Sequence, residues 1–197
     1  QFLRDAAGFT FGSICGMMTP KRRGRAVRKR LSLSCPESAP SLRDPGKMAN
    51  LFAERIFQME LTKDTRFLII GLGLIGGCYA RGLTKRGYRV AAVDQNPESI
   101  RYALDEKITE KGSQIPAPEL LGWCDAAVLG LYPAQMTGWV REYQHLFRPG
   151  TLLTDVCGVK SGVVDAVQEA LRPGLEFIGC HPMAGRELSG VQNSDER

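Results

Sequence analysis

From Arg66 to Cys180 the chain alternates short apolar runs with longer segments of mixed polarity. The runs Arg66 to Ile70, Arg89 to Asp94, Asp125 to Leu131 and Thr151 to Val156 are rich in Val, Ile, Leu and Ala, and Glu176 to Cys180 centres on Phe177 and Ile178. They show no polar alternation, so each reads as a strand buried on both faces. Between them, Cys78 to Arg86, Pro97 to Leu104, Pro133 to Phe147 and Ser161 to Leu171 suit helices, and Glu119 to Trp123 suits a helical turn. Pro97 and Pro133 sit where a helix starts, and the pairs Pro149-Gly150 and Pro173-Gly174 end helices. Lys107 to Pro118, interrupted by Gly112, Pro116 and Pro118, reads as a polar connection. Strands and helices in alternation predict an α/β domain whose parallel sheet is covered by helices on both sides.

The first strand runs into Gly71-Leu72-Gly73-Leu74-Ile75-Gly76-Gly77, a G-x-G-x-x-G turn leading to a helix. Gly71 permits the sharp turn, Gly73 lets a pyrophosphate approach the backbone, and Gly76 lets helix and strand pack closely. The helix N-terminus then offers free N–H groups and a positive dipole end to the anion. The second strand ends in Asp94, 21 residues after Gly73, close to the spacing expected of an acid that binds ribose hydroxyls. That acid would repel a 2′-phosphate, so the cofactor is expected to be NAD and not NADP. The fold expected is a Rossmann-type doubly wound sheet, in which ligands collect at the carboxyl ends of the strands. Gly71, Asp94, Tyr132, Pro133, Gly158 and His181 all fall at such ends and are expected to share one cleft, with Leu72, Leu74, Ile75 and Gly76 completing the glycine loop.

Charge separates the chain into parts. Residues 1–47 hold ten Lys/Arg against three Asp/Glu, and the remaining 150 hold sixteen against eighteen, so the net +5 belongs to the N-terminal stretch. That stretch lacks periodicity and is broken by Pro20, Pro36, Pro40 and Pro45; it is expected to be a disordered basic tail. Its run Lys21 to Arg30 suits RNA, anionic lipid or an organelle transit peptide, and equally a segment with no part in the folded domain. Residues 48–65 form a lead-in, with Phe52, Ile56 and Met59 spaced for a short amphipathic helix from Asn50 to Leu61. Nucleic-acid binding by the folded part is not indicated. No apolar run approaches the roughly 18 residues needed to span a bilayer. Six scattered cysteines without C-x-x-C suggest neither a zinc site nor a disulfide framework, and suit the cytoplasm.

The second informative stretch is His181-Pro182-Met183-Ala184-Gly185-Arg186-Glu187, in which a His leaves a strand at the ligand edge. Together with the glycine loop and Asp155-Val156-Cys157-Gly158-Val159-Lys160, it resembles the prephenate/arogenate dehydrogenase family of tyrosine biosynthesis, over about residues 66–193. The resemblance implies an NAD-dependent oxidative decarboxylation of prephenate to 4-hydroxyphenylpyruvate. Arogenate is the alternative substrate, and a catalytically incomplete NAD-binding fragment the alternative state. His181 matches the family's catalytic histidine, a neutral imidazole that accepts the ring hydroxyl's hydrogen bond and draws off its proton. Gly185 and Glu187 match the substrate side, although Glu187 also reads as one half of an exposed Arg-Glu pair.

Two departures from the family pattern carry expectations. Many relatives have Ser at the position of Gly158, so backbone N–H or water would replace a hydroxyl there. The family continues into a helical C-terminal domain that dimerises and supplies a substrate-binding arginine, whereas this sequence ends at Arg197. The domain 66–197 is therefore expected to be C-terminally truncated, to bind NAD with little turnover, and to be monomeric in dilute solution. His145 is read as a helix-terminal residue without a catalytic role, and Cys180 as a small buried residue facing away from His181.

Overall fold

A computed structural model of the chain describes residues 61–181 and 189–195. The basic stretch 1–47, the lead-in up to residue 60, and Gly185 and Glu187 lie outside the described residues. The described elements are β1 (Arg66–Ile70), α1 (Leu74–Lys85), β2 (Arg89–Val93), α2 (Pro97–Asp105), β3 (Lys111–Ser113), α3 (Pro118–Leu121), β4 (Ala126–Leu129), α4 (Pro133–Tyr143), β5 (Leu152–Asp155), α5 (Val163–Ala170) and β6 (Glu176–Ile178). Single 3₁₀ turns follow at Gln144–Leu146 and Val191–Asn193.

The six strands form one sheet in the order β3-β2-β1-β4-β5-β6, and every pairing is parallel. From β1 the chain steps outward to β3, then returns to β4 on the other side of β1 and steps outward again. Because parallel crossovers are right-handed, α1 and α2 cover one face while α4 and α5 cover the other. The strands bury both faces. Leu68, Ile70, Val93, Leu129, Leu153 and Phe177 pack under α4 and α5 with Met136, Val140, Val163 and Val167, and Phe67, Ile69, Val90, Ala92 and Val128 are equally buried between them. This is the doubly wound sheet expected from the continuous apolar runs.

The boundaries differ from the expected ones where polar sequence does the work. Lys111-Gly112-Ser113, inside the expected polar connection, is an edge strand. It pairs with β2 on one side only, flanked by hydrogen bonds from Glu110 N to Val90 O and from Asp94 N to Ser113 O. No apolar residue marks it, because an edge strand three residues long gains its stability from backbone hydrogen bonds. α1 begins at Leu74, not Cys78: Gly76 and Gly77 are helical despite their poor propensity, Gly76 because α1 lies close on the end of β1 and Gly77 because Val191 and Ser194 pack against it. The expected helix 133–147 stops at Tyr143 and tightens into the 3₁₀ turn that carries the exposed His145. The last strand stops at Ile178 instead of Cys180. Beyond it the 3₁₀ turn Val191–Asn193, which the sequence did not suggest, packs on α1 and α2 with Val191 fully buried.

Candidate functional site

The glycine loop is built as its chemistry requires. Gly71 turns the chain with φ +93, a left-handed conformation that L side chains rarely adopt. Its N–H donates to Val93 O at 2.8 Å, which ties the loop to the end of β2. A Cβ placed on Gly76 would lie 1.9 Å from the Gly71 carbonyl oxygen, so only glycine lets α1 cross the strand end there. A Cβ on Gly73 would meet nothing within 4 Å. Gly73 is the N-cap of α1, no side chain caps that helix, and its first turn holds no acid. The amides at the start of α1 thus look onto open space beside a positive dipole end, the arrangement that suits an anionic pyrophosphate. Leu72 is buried beneath the loop, and Leu74 and Ile75 are half-buried in the first turn of α1.

Asp94 follows β2 directly, next to Gly71 across the parallel pairing of Ile70 with Val93. Its Oδ2 accepts from Leu72 N at 2.5 Å and its Oδ1 from Asn96 N at 2.8 Å. The carboxylate therefore braces the glycine loop, and it keeps further lone pairs for a ribose hydroxyl. Capping of α2 falls to Asn96, whose side chain accepts from Glu98 N at 2.9 Å. Between this pole and the next, Gly130 follows β4, where a Cβ would lie 2.8 Å from Gly71 O. Tyr132 projects outward at 78% exposure, and Pro133 opens α4.

The second pole lies at the ends of β5 and β6. The ring of His181, an exposed residue, stands against Gly158: a Cβ there would be 3.2 Å from Nε2. Behind them Asp155 is fully buried. Its Oδ2 pairs with Lys160 Nζ and accepts from Cys157 N at 3.1 Å, while its Oδ1 accepts from Cys180 N at 2.9 Å. Cys157 Sγ also donates to Oδ2. Cys180 is buried, as expected, with its Sγ 3.1 Å from Thr154 Oγ1. Burial pushes the Cys180 thiol up, and burial together with the Asp155 hydrogen bond pushes up that of Cys157. Neither is a ready thiolate nucleophile.

The carboxyl edge of the sheet thus brings together Gly71, Gly73, Gly76, Asp94, Tyr132, Pro133, Gly158 and His181. The two poles are separated by β4, so about 10 to 15 Å lies between them at the usual interstrand spacing. The strand order reverses between β1 and β4, which makes this the crevice where such sheets bind ligands. Sequence reasoning gave no role to Asp155, Lys160 or Gly130. Asp155 and Lys160 stood in view within Asp155-Val156-Cys157-Gly158-Val159-Lys160, but nothing in their spacing discloses that the carboxylate reaches Cys180 N, just past the end of β6.

Comparison with known proteins agrees with this geometry. The family model described as "Prephenate dehydrogenase, nucleotide-binding domain" matches residues 79–197. The prephenate dehydrogenase of Bacillus subtilis (strain 168) is 34% identical over 143 residues, covering 70% of this chain and 38% of the relative. That of Lactococcus lactis subsp. cremoris (strain MG1363) is 31% identical over 138 residues, covering 66% and 37%. Among solved structures, prephenate dehydrogenase from A. aeolicus in complex with hydroxyphenyl propionate and NAD⁺ superimposes with a TM-score of 0.63 at 28% identity, covering 70% of this chain and 48% of the other. The chain spans less than half the length of each of these relatives. On the glycine loop, the sheet order and these matches together, the chain belongs to the prephenate dehydrogenase family and carries its nucleotide-binding domain.

Proposed function

We propose that this domain binds NAD⁺ and serves the oxidative decarboxylation of prephenate to 4-hydroxyphenylpyruvate, with His181 as the catalytic base. The observation that carries the reading is the pairing, on one sheet edge, of an open, uncapped helix N-terminus at Gly73 with an exposed imidazole at the end of β6. The residues present fit the cofactor. The amides of the Gly71 to Gly76 loop would hold the pyrophosphate, and Asp94 the ribose hydroxyls. Tyr132, Pro133 and Gly158 would line the way to the nicotinamide. When bound, NAD⁺ supplies the acceptor for the hydride that leaves the hydroxyl-bearing ring carbon. His181 accepts the hydrogen bond of that hydroxyl and takes up its proton as carbonyl character develops; loss of CO₂ then makes the ring aromatic. Gly185 and Glu187 are the residues proposed on the substrate side. The free thiols of the four described cysteines suit a reducing cytoplasm.

Prephenate is preferred to arogenate because the B. subtilis and L. lactis relatives, at 34% and 31% identity, are prephenate dehydrogenases. The substrates differ only in a keto or amino side chain, so the assay must hold both. Titration of the purified chain is expected to show NAD⁺ binding much more tightly than NADP⁺, with the gap narrowed in Asp94→Ser; equal affinities would remove Asp94 as the selector, and no binding of either would overturn the reading. Steady-state assay with each substrate then tests the chemistry. In a protein that turns over, His181→Asn is expected to lower kcat by about 10²-fold while leaving NAD⁺ affinity nearly unchanged. A stable variant with near-normal kcat would dismiss His181 as the base.

A further inference from the structure

One carboxylate holds both halves of the contact between Gly158 and His181. Asp155 ends β5 and is fully buried. Its Oδ2 accepts from Cys157 N, the residue before Gly158, at 3.1 Å. Its Oδ1 accepts from Cys180 N, the residue before His181, at 2.9 Å. β6 has already ended at Ile178, so Cys180 N lies beyond the sheet's own hydrogen-bond ladder. The carboxylate thus takes over where the ladder stops. Lys160, half-buried and five residues on, supplies the counter-charge without which a buried carboxylate would be costly. Cys157 Sγ completes the set of donors. Thr154, one residue earlier, strengthens the same junction by donating to Ile178 O at 2.8 Å.

We propose that Asp155, with Lys160 as its counter-charge, is the positioning residue that fixes the His181 imidazole over Gly158. This rests on the reading of His181 as the catalytic base. A backbone N–H anchored one residue away limits how the ring can swing, and an error of about 1 Å in such a group is enough to cost much of its effect. The alternative is that the ion pair only holds the sheet together, in which case its loss loosens the whole domain and not His181 in particular.

The test needs no substrate, so it stands or falls separately from the assignment of prephenate. The sequence holds two histidines, and His145 sits exposed on its 3₁₀ turn as an internal control. Two charge-neutral double variants are compared with wild type by NMR of the imidazole rings, with NAD⁺ affinity and the unfolding midpoint measured alongside. Asp155→Asn with Lys160→Met keeps a side-chain oxygen for Cys180 N. Asp155→Leu with Lys160→Met is of similar shape and removes it, and apolar replacement of a buried pair is often tolerated. The Asn form is expected to retain the wild-type His181 signals. In the Leu form those signals move to the positions of a freely rotating, solvated histidine, with His145 and NAD⁺ affinity unchanged. Unaltered His181 signals in the Leu form would overturn the proposal, as would equal displacement of both histidines. Should the Leu form not fold, amide exchange in the wild-type chain decides: Cys180 N–H must exchange at least about tenfold more slowly than an unprotected amide, and unprotected exchange there refutes the proposal.

Discussion

A methyl group added at Gly76 would collide with the Gly71 carbonyl oxygen, whereas one added at Gly73 would project into open space. The two glycines share one motif and answer to different forces, one to packing and the other to a ligand. Gly76→Ala must push α1 off β1, so it is expected to destabilise the domain by about 3 kcal/mol or more, the upper range of overpacking. Gly73→Ala should shift stability by about 1 kcal/mol at most, the scale of an N-cap change, while weakening NAD⁺ binding by about tenfold or more because the methyl fills the anion's approach. Measuring the unfolding midpoint and the NAD⁺ affinity of both variants checks the division; a Gly73→Ala protein with wild-type affinity would show that the pyrophosphate lies elsewhere. At this scale the sequence was informative because each position answers to a local constraint. Gly71, Gly76 and Asp94 are fixed by the turn, the helix and the next strand, all within a span of 24 residues. Asp155 was not legible, since its partner Cys180 lies 25 residues away, just beyond the end of β6.

Strands with apolar sequence were legible as elements, and the polar edge strand β3 was not, because its pairing with β2 is a matter of backbone alone. The starts of the strands show what such elements need at their far end. Asp125, just before β4, accepts from the Arg66 backbone N at 2.9 Å, from Arg66 Nε and Nη2 at 3.0 and 2.8 Å, and from Arg148 Nη2 at 2.7 Å. It thereby locks the start of β1 to that of β4, away from the candidate site. Partial burial alone would raise the Asp125 carboxyl, but the hydrogen bonds from Arg66 and Arg148 outweigh it and hold the group below the usual carboxylate range. A carboxyl lowered in the folded state adds stability above its unfolded pKa of about 3.8, and that stability is lost as the pH falls through the folded value. Asp125→Asn is therefore expected to be less stable than wild type at neutral pH, by no more than about 1 kcal/mol for a third-exposed, screened group. The difference should shrink below about pH 4 and in high salt. Urea unfolding of both proteins across pH 2.5 to 7 measures it; a constant gap would mean that the carboxylate's charge contributes nothing.

At the scale of the whole chain, the residues after β6 do not simply leave the domain. Beyond His181 the sequence returns as Ser189 to Asp195 on the face of α1 and α2. There Arg81 Nε donates to Ser194 Oγ at 2.8 Å and Asp195 N to Cys78 Sγ at 3.3 Å. Arg81 also reaches Tyr102 OH at 3.2 Å, so one guanidinium joins both helices to the returning segment. Gly77 makes room for it: a Cβ there would lie 2.8 Å from Ser194 Cβ and 3.1 Å from Val191 Cγ2. This seam was hidden in the sequence because it rests on one valine and two small residues. A segment held this way fastens whatever follows it to the helix that also carries the glycine loop, so its contribution should appear in stability before it appears in cofactor binding. Val191 is fully buried, and Val191→Ala is expected to cost about 1 to 3 kcal/mol through the lost methyl groups and the cavity they leave. Ser194→Ala, which deprives the half-buried Arg81 of one acceptor, should cost about 1 kcal/mol. Both variants should keep NAD⁺ affinity within a few-fold of wild type, since the seam packs on Gly77, Cys78 and Arg81 and touches none of the open amides at the start of α1. Urea unfolding and NAD⁺ titration of the two proteins test this together. An unchanged midpoint for Val191→Ala would mean that the segment is not fastened in solution, whereas a large loss of affinity at unchanged stability would make the seam part of the cofactor site.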